Sequence, residues 1–320
     1  MGAADTVTKA YMRENAIFAD AFNYLIYDGR QVIKPDSLKE LDTTEIALPF
    51  ADEHEEAVQK YRDILKSAVV KQDDKAAYIL LGIENQTDIH YAMPVRSMIY
   101  DALQYGKQVS EIAAKHRKET DGGHTKGEYL SGFYKGDKIT PVITLVIHFG
   151  ADEWDGPMSI HEMTGLDDYD ILRFVPNYRI NLIDPAKISG FDLTKFETSL
   201  REVLGYIKYS RNKDSLMAFI GGSERDTIER EAAMVIKTIT KTPIDIPEGL
   251  EEINMCEAIE AMVKDSKAEG RAEGKAEGKA EGILETLASL VKDKVLTTRE
   301  AAARAAMTED EFKEAMAKLA

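Results

Sequence analysis

The sequence predicts an α/β fold, a sheet core with helices packed on it. Three observations predict it. Residues 62–86 read as two apolar strands joined by the polar turn "KQDDK". Residues 93–115 repeat at helical spacing. The run "ITPVITLVIHFG", 139–150, is rich in β-branched residues and bounded by Gly150, the pattern of a buried strand. After a first helix, the order is therefore hairpin, helix, strand.

The first element spans 9–27, where Ala16, Phe18, Phe22, Leu25 and Ile26 can line one face. Gly29 ends it and Pro35 bends the chain. Residues 42–60 read as polar and irregular. In the helix at 93–115, Pro94 suits the first turn and Met98, Ile99, Ala102 and Leu103 share a side. The glycine-rich, charged stretch 119–138 reads as a loop. Residues 165–260 read as mainly helical, with "FDLTKFETSLREVLGYIKYS" as one amphipathic helix capped by Asp192 or Thr194, and "TIEREAAMVIKTIT" as another.

At Lys267 the composition changes to the four-residue repeat "KAEGRAEGKAEGKAEG". Ala, Glu and Lys favour helix, whereas each glycine costs ~1 kcal/mol against Ala. The segment is either a spacer or a self-association helix, which makes a homo-oligomer one expectation. The remaining residues look like three short helices, one capped by Thr297 or Thr298 and another by the pair Thr308 and Glu311. The expected divisions are 1–165 for the sheet core, 166–262 for a helical region packing on it, 263–282 for the repeat and 283–320 for a small helical end piece.

Of the 320 residues 44% are hydrophobic and 31% charged, a globular composition. No run of ~18 apolar residues occurs, so no membrane partner is expected. The stretch "MGAADTVTKAYMRENAIF" carries charges where a secretory signal needs an apolar core. The single cysteine, Cys256, excludes an intrachain disulfide and a multi-cysteine zinc site and fits a reducing compartment. The expectation is a cytoplasmic protein. The net charge of −16 argues against a protein that coats nucleic acid. Residues 261–320 hold 11 basic and 12 acidic side chains, so nearly all of that charge lies in the first 260. Within 103–140, however, Lys107, Lys115, Arg117, Lys118, Lys126, Lys135 and Lys138 outnumber five acids, either a basic lip or a solvated loop.

The chemistry-bearing stretch is "RDILKSAVVKQDDKAAYILLGIENQTD", residues 62–88. Glu84 and Gln86 are two residues apart and leave the same face of a strand. If the two strands pair antiparallel, Asp63 lies beside the end of the second. Two converging carboxylates repel unless a cation sits between them. Mg²⁺ (or Mn²⁺) suits them, since a hard ion takes few carboxylates, a backbone carbonyl and waters. Asp63 otherwise pairs with Arg62 or serves a turn, and Glu84 otherwise reaches water at the strand end. His90 and His148 have no second histidine at metal spacing and read as core or rim residues.

These residues lie in a pattern that resembles a known family. The segments "FADAFNYLIYDG", "YRDILKSAVV", "ILLGIENQTDIHYAMPVRSMIYDALQY" and "TPVITLVIHFGADEWDGPMSIHEM", with the "AEGKAEGKAEG" tail, resemble the Rpn-type recombination-promoting nucleases, also described as putative transposases. That resemblance implies a PD-(D/E)XK, restriction-endonuclease-like core with a helical C-terminal half, and a Mg²⁺-dependent DNA endonuclease leaving a 5′-phosphate. It places the first acidic position on Asp63 and the (D/E)-x-K on Glu84, Asn85 and Gln86, with Gln for the usual Lys. Gln86 would then orient water rather than accept a proton. It further implies an acid from the first helix, Asp20 or else Glu14, and metal ligation by Asp63, Glu84, Asn85 and Asp20. On the following helix Arg96, Tyr100 and Gln104 recur every fourth residue as a substrate-facing stripe. Arg96 either holds a phosphate or pairs with Asp101 or Glu84. The competing expectation is a catalytically inactive nuclease fold that serves as an interaction or oligomerisation module.

Overall fold

The computed structural model describes residues 2–41, 44–47, 58–61, 63–72, 75–118, 124–223, 225, 227–242, 244–255 and 282–318. It divides into two compact units, Met1–Cys256 and Glu257–Ala320. The helix expected of the repeat lies outside the described residues, as does Cys256.

The first unit begins with α1 (Ala3–Arg13) and α2 (Asn15–Tyr27). The expected continuous helix over 9–27 is thus broken at Glu14, whose ψ of 126° is extended. The reason lies on the sheet. Lys66 is 1% exposed, and its ammonium donates to the Arg13 carbonyl and to Asn15 Oδ1 at 2.6 Å. A buried ammonium needs acceptors, and the helix break supplies them. Lys66 Nζ also sits 4.8 Å from the centroid of the Phe18 ring. Past the break, α2 is buried on all sides from Ile17 to Asn23. It ends with Asp28 and Gly29 at positive φ, and a Cβ on Gly29 would meet Lys195 at 2.8 Å.

Two short strands, β1 (Lys39–Glu40) and β2 (Thr44–Ala47), come next, followed by β3 (Val58–Tyr61). β2 pairs antiparallel with β3, so part of 42–60 is a two-stranded sheet rather than irregular chain. The hairpin is β4 (Ile64–Gln72) and β5 (Lys75–Gln86), and α3 (Met93–His116) follows. After α4 (Lys126–Ser131), β6 (Val142–His148) forms the buried strand.

The second half of this unit contains α5 (Ile160–Thr164), α6 (Tyr169–Leu172), β7 (Asn181–Ile183), α7 (Gly190–Leu193), α8 (Leu200–Tyr209) and α9 (Lys213–Gly221). It closes with β8 (Thr227–Glu229), α10 (Arg230–Thr240) and β9 (Glu252–Asn254). It is therefore not purely helical: β7 joins the main sheet and β8 pairs with β9. The stretch expected as one helix from Phe191 is two, α7 and α8, and Ser189 caps the first in place of Asp192 or Thr194.

The main sheet is mixed, in the order β1-β4-β5-β6-β7. β1, β4 and β5 run antiparallel, and β6 and β7 are parallel to β5. Its registers define two faces. Glu84 and Gln86 share one with their partners Val146 and His148, and α3 covers it through the Glu84–Arg96 and Thr144–Asp101 contacts. Lys66, Ile83 and Leu145 share the other, under α1 and α2. α1 packs in turn on α10, and α10 on α8, through Ala232, Ala233, Val235 and Ile236 and through Leu200, Val203, Leu204 and Ile207.

Burial holds the pKa of Lys66 below 10.5, against the raising pull of Glu40 and Glu14. The unfolded chain then binds this proton over a window in which the folded chain releases it. The Lys66 contribution to stability therefore rises with pH from the folded value up to 10.5. Urea midpoints taken from neutral pH to 10.5 should show a more positive slope for the wild type than for Lys66→Met.

In its described part the second unit holds three helices: α11 at 282–292, α12 (Thr298–Arg304) and α13 (Glu309–Lys318). Leu287, Ala301, Ala302 and Phe312 form its core. Thr297 with Glu300 and Thr308 with Glu311 build reciprocal capping boxes. No helix among the described residues is long and apolar enough to cross a membrane.

Candidate active site

The hairpin register carries the site. Ile64 pairs with Ile83, so Asp63, one residue earlier, stands opposite Glu84. The two are linked through the backbone: Asn85 N–H donates to Asp63 Oδ2 at 2.9 Å, and Asp63 N–H points to Glu84 Oε1 at 3.4 Å. Glu84 is 0% exposed, at the sheet end where β5 meets β6. A buried carboxylate requires compensation. Arg96 Nη2 lies 3.0 Å from Glu84 Oε2, and Lys9 Nζ, from α1, lies 3.2 Å from Asp63 Oδ1. Two acids thus meet two cations at one sheet end.

α3 builds the opposite wall, largely with its polar side and with Leu103. Met98 and Ala102 are exposed, while Ser97, Tyr100, Asp101 and Gln104 are buried against the sheet. The polar groups find partners there. Arg96 Nε donates to the Tyr100 hydroxyl at 3.1 Å. Thr144 Oγ1 and the Tyr178 hydroxyl donate to the two oxygens of Asp101 at 2.5 and 2.7 Å. Burial raises the pKa of the Tyr100 phenol and the nearby Glu84 carboxylate adds to this, so Tyr100 is a neutral hydrogen-bonding group at ordinary pH. Arg96, Tyr100 and Gln104 do form one stripe, and only Arg96 is partly open to solvent, with its side chain 34% exposed.

Gln86 shares the Glu84 face, and its amide donates to the Asn85 carbonyl at 2.9 Å. The Asn85 side chain points to the other face, where it is buried with no hydrogen-bond partner among the described residues. Asp20 is not brought to the pair. It is 1% exposed, and its carboxylate accepts from Glu197 N–H, Thr198 N–H, Thr198 Oγ1 and Gln31 Nε2. Those bonds hold the chain between α7 and α8, which is why the expected single helix is broken there. Glu14 is exposed in the break between α1 and α2.

One residue enters the site that the sequence did not mark, Lys9, and His148, read as a core or rim residue, lies beside the site. Lys9 lies 54 positions from Asp63, and no local pattern links them. His148 is the register partner of Gln86 and lies on the same face. Its Nε2 lies 3.0 Å from the Asp152 carbonyl, which can only accept, so that nitrogen carries the proton. Nδ1 is then the acceptor, buried and without a partner among the described residues. A strand histidine two residues before Gly150 was the available clue, and only the parallel register turns it toward Gln86.

The donor set is hard: two carboxylates, with the Asn85 carbonyl accepting from the Gln86 amide in the same strand. It fits Mg²⁺ or Mn²⁺ held largely by water. Among the described residues no third His, Cys, Asp or Glu completes a protein-only cage.

The family model described as "Putative transposase, YhgA-like" matches residues 38–224, more than half of the chain. The matched span holds the whole five-stranded sheet, Asp63, Glu84, Gln86 and α3, and begins after Lys9 and Asp20. No curated protein and no solved structure matches the chain.

Proposed function

The chain belongs to the YhgA-like putative transposase family, and from that premise we propose that it is a metal-dependent DNA endonuclease with a PD-(D/E)XK-type core. The single observation that carries this reading is the buried Glu84 set opposite Asp63 at the end of the sheet, linked to it through Asn85 N–H. The antiparallel hairpin followed by a helix and a parallel strand supports the core assignment.

In this reading Asp63 and Glu84, with the Asn85 carbonyl, would hold Mg²⁺ or Mn²⁺. Such an ion lowers the pKa of water and offsets charge on a phosphate oxygen. The chain's own residues do the rest. With such an ion bound, Asp63 and Glu84 would no longer need the Lys9 and Arg96 charges as partners. Arg96, released from Glu84, pairs with a non-bridging oxygen of the scissile phosphate. Tyr100 fixes the Arg96 side chain through the bond to Nε. Gln86 turns its amide to the attacking water as an orienting group. A water oxygen bonds to phosphorus and gives up a proton to solvent, the bond from phosphorus to the 3′ oxygen breaks, and that oxygen takes a proton from solvent, so the products are a 3′-hydroxyl and a 5′-phosphate. Self-association through the 267–282 repeat is part of the same proposal.

A second reading, an inert nuclease fold used as an interaction module, is favoured by one observation. Lys9 and Arg96 already neutralise the two acids without an ion. Plasmid nicking separates the two. The nuclease reading expects nicking in Mg²⁺, none in EDTA or Ca²⁺, and none from Asp63→Ala in Mg²⁺. Nicking that survives Asp63→Ala, or a wild type inert in both Mg²⁺ and Mn²⁺, overturns it.

A further inference from the structure

At the far end of α3 from Arg96, four aromatic rings stack in series. His116 lies 3.7 Å from Tyr134 at an interplanar angle of 20°, Tyr134 lies 5.2 Å from His124 at 19°, and His124 lies 5.8 Å from Tyr129 at 6°. The stack ends in the open, since Tyr129 is 72% exposed and its neighbour Leu130 73%. With Arg117 and Gly132, these rings line a cavity of ≈ 380 Å³.

The arrangement is held rigidly. α4 carries Tyr129, and its capping box ties Thr125 to Glu128. The Glu128 carboxylate also accepts from Lys135 N–H, and these bonds bring its pKa down to about 2. Gly132 ends α4 at φ +66° against α3, where a Cβ would meet Ala113 Cβ at 2.7 Å. His116 is fixed by Asp137, 2.9 Å from its Nε2. Of the acids in this segment, Glu128 and Asp137 are engaged by its own hydrogen bonds, and Glu119 and Asp121 lie outside the described residues. Arg117, Lys118, Lys126, Lys135 and Lys138 are exposed, with no ion pair among the described residues. A chain of net charge −16 here presents an open aromatic face with Arg117 in its lining and exposed lysines in the same stretch of sequence.

Flat rings at a solvent-open stack end, with Arg117 in the cavity lining, match one ligand chemistry: a π-faced base on an anionic backbone. We propose that the His116–Tyr134–His124–Tyr129 stack is a platform for an unpaired nucleobase, with Tyr129 as the receiving face and Arg117 and Lys126 at the phosphates. This rests on the nucleic-acid reading above and narrows it to substrates with an unpaired nucleotide. Twenty residues of helix separate Arg96 from His116, about 30 Å, close to one turn of duplex. A base held here therefore lies roughly one helical turn from the carboxylate pair.

The test is fluorescence anisotropy with the full chain in EDTA. The probes are a labelled single-stranded DNA 20-mer, the matching blunt duplex, and a duplex with a short single-stranded overhang. The wild type should prefer the probes with unpaired bases. Tyr129→Ala should weaken binding of the single strand by about tenfold and leave the blunt duplex within about twofold. Tyr129→Trp should keep the preference. An unchanged single-strand affinity in Tyr129→Ala, an equal loss on all three probes, or no binding of any oligonucleotide overturns the proposal. Tyr129 is exposed, so its removal does not threaten folding. Because EDTA suppresses cleavage, binding and nicking can fail independently and the two readings are judged separately.

Discussion

Asp20→Ala should lower the melting temperature of the protein by roughly 10 °C. The carboxylate is buried and accepts four hydrogen bonds, three of them from Glu197 and Thr198. Its removal leaves those donors unmatched, at about 3 kcal/mol in total, and a unit of this size loses about 2–4 °C per kcal/mol. Asp20→Asn keeps one acceptor oxygen and should fall between the two. The same variants decide the role of Asp20 in the chemistry. A clamp for the chain entering α8 predicts that residual nicking, assayed well below the melting point, stays near the wild-type rate. A metal ligand predicts the reverse, a lost rate for Asp20→Asn at nearly unchanged melting temperature. Thermal unfolding and nicking measured on the same preparations distinguish them.

Glu84→Gln should lower Mg²⁺-dependent nicking by a factor on the order of 10³, since a lost metal ligand forfeits several kcal/mol of charge stabilisation. Binding of duplex in EDTA should not weaken. The carboxylate repels phosphate, and its neutral isostere leaves Arg96 unpaired and free to meet the backbone. The cost in stability should be moderate, about 1–2 kcal/mol. Arg96 is a third exposed, so solvent takes up part of the charge that Glu84 now neutralises. If the fold is an inert interaction module, only the stability change is seen. Nicking rate, anisotropy and urea midpoint together read all three consequences.

The hairpin, α3 and β6 were legible because each has a long, single-period pattern. The elements that were missed are short or set by distant partners. β7 is three residues, Asn181–Ile183, too few for alternation to register, and it becomes a strand because β6 offers an edge. The break at Glu14 answers to Lys66, and the break before α8 answers to Asp20, each through contacts far along the chain. The same limit governs the site. Asp63, Glu84 and Gln86 could be placed from strand periodicity, whereas Lys9 and His148 enter through packing and parallel register. On α3 the polar stripe of Tyr100 and Gln104 was legible and is buried, whereas of the apolar side only Leu103 is buried and Met98 and Ala102 are exposed. The reason is that Glu84 and Thr144 of the sheet, and Tyr178 before β7, partner Arg96 and Asp101 on the polar side.

β4 and β5 pair over their full length, from Ile64 with Ile83 to Gln72 with Lys75. The neighbouring strands cover only one end of them. β1 reaches Lys66 and Ser67, and β6 begins at Leu80. From Val69 and Tyr78 outward the hairpin is a ribbon of two strands, with no third strand beside it among the described residues. One covalent hairpin therefore has two local unfolding free energies. The outer ribbon lacks the flanking ladders that hold the inner end, whereas separating the strands at Leu81–Asn85 also exposes core on both faces. Asp63 and Glu84 sit at the end that opens least, so fraying of the ribbon leaves the spacing of the carboxylates unchanged.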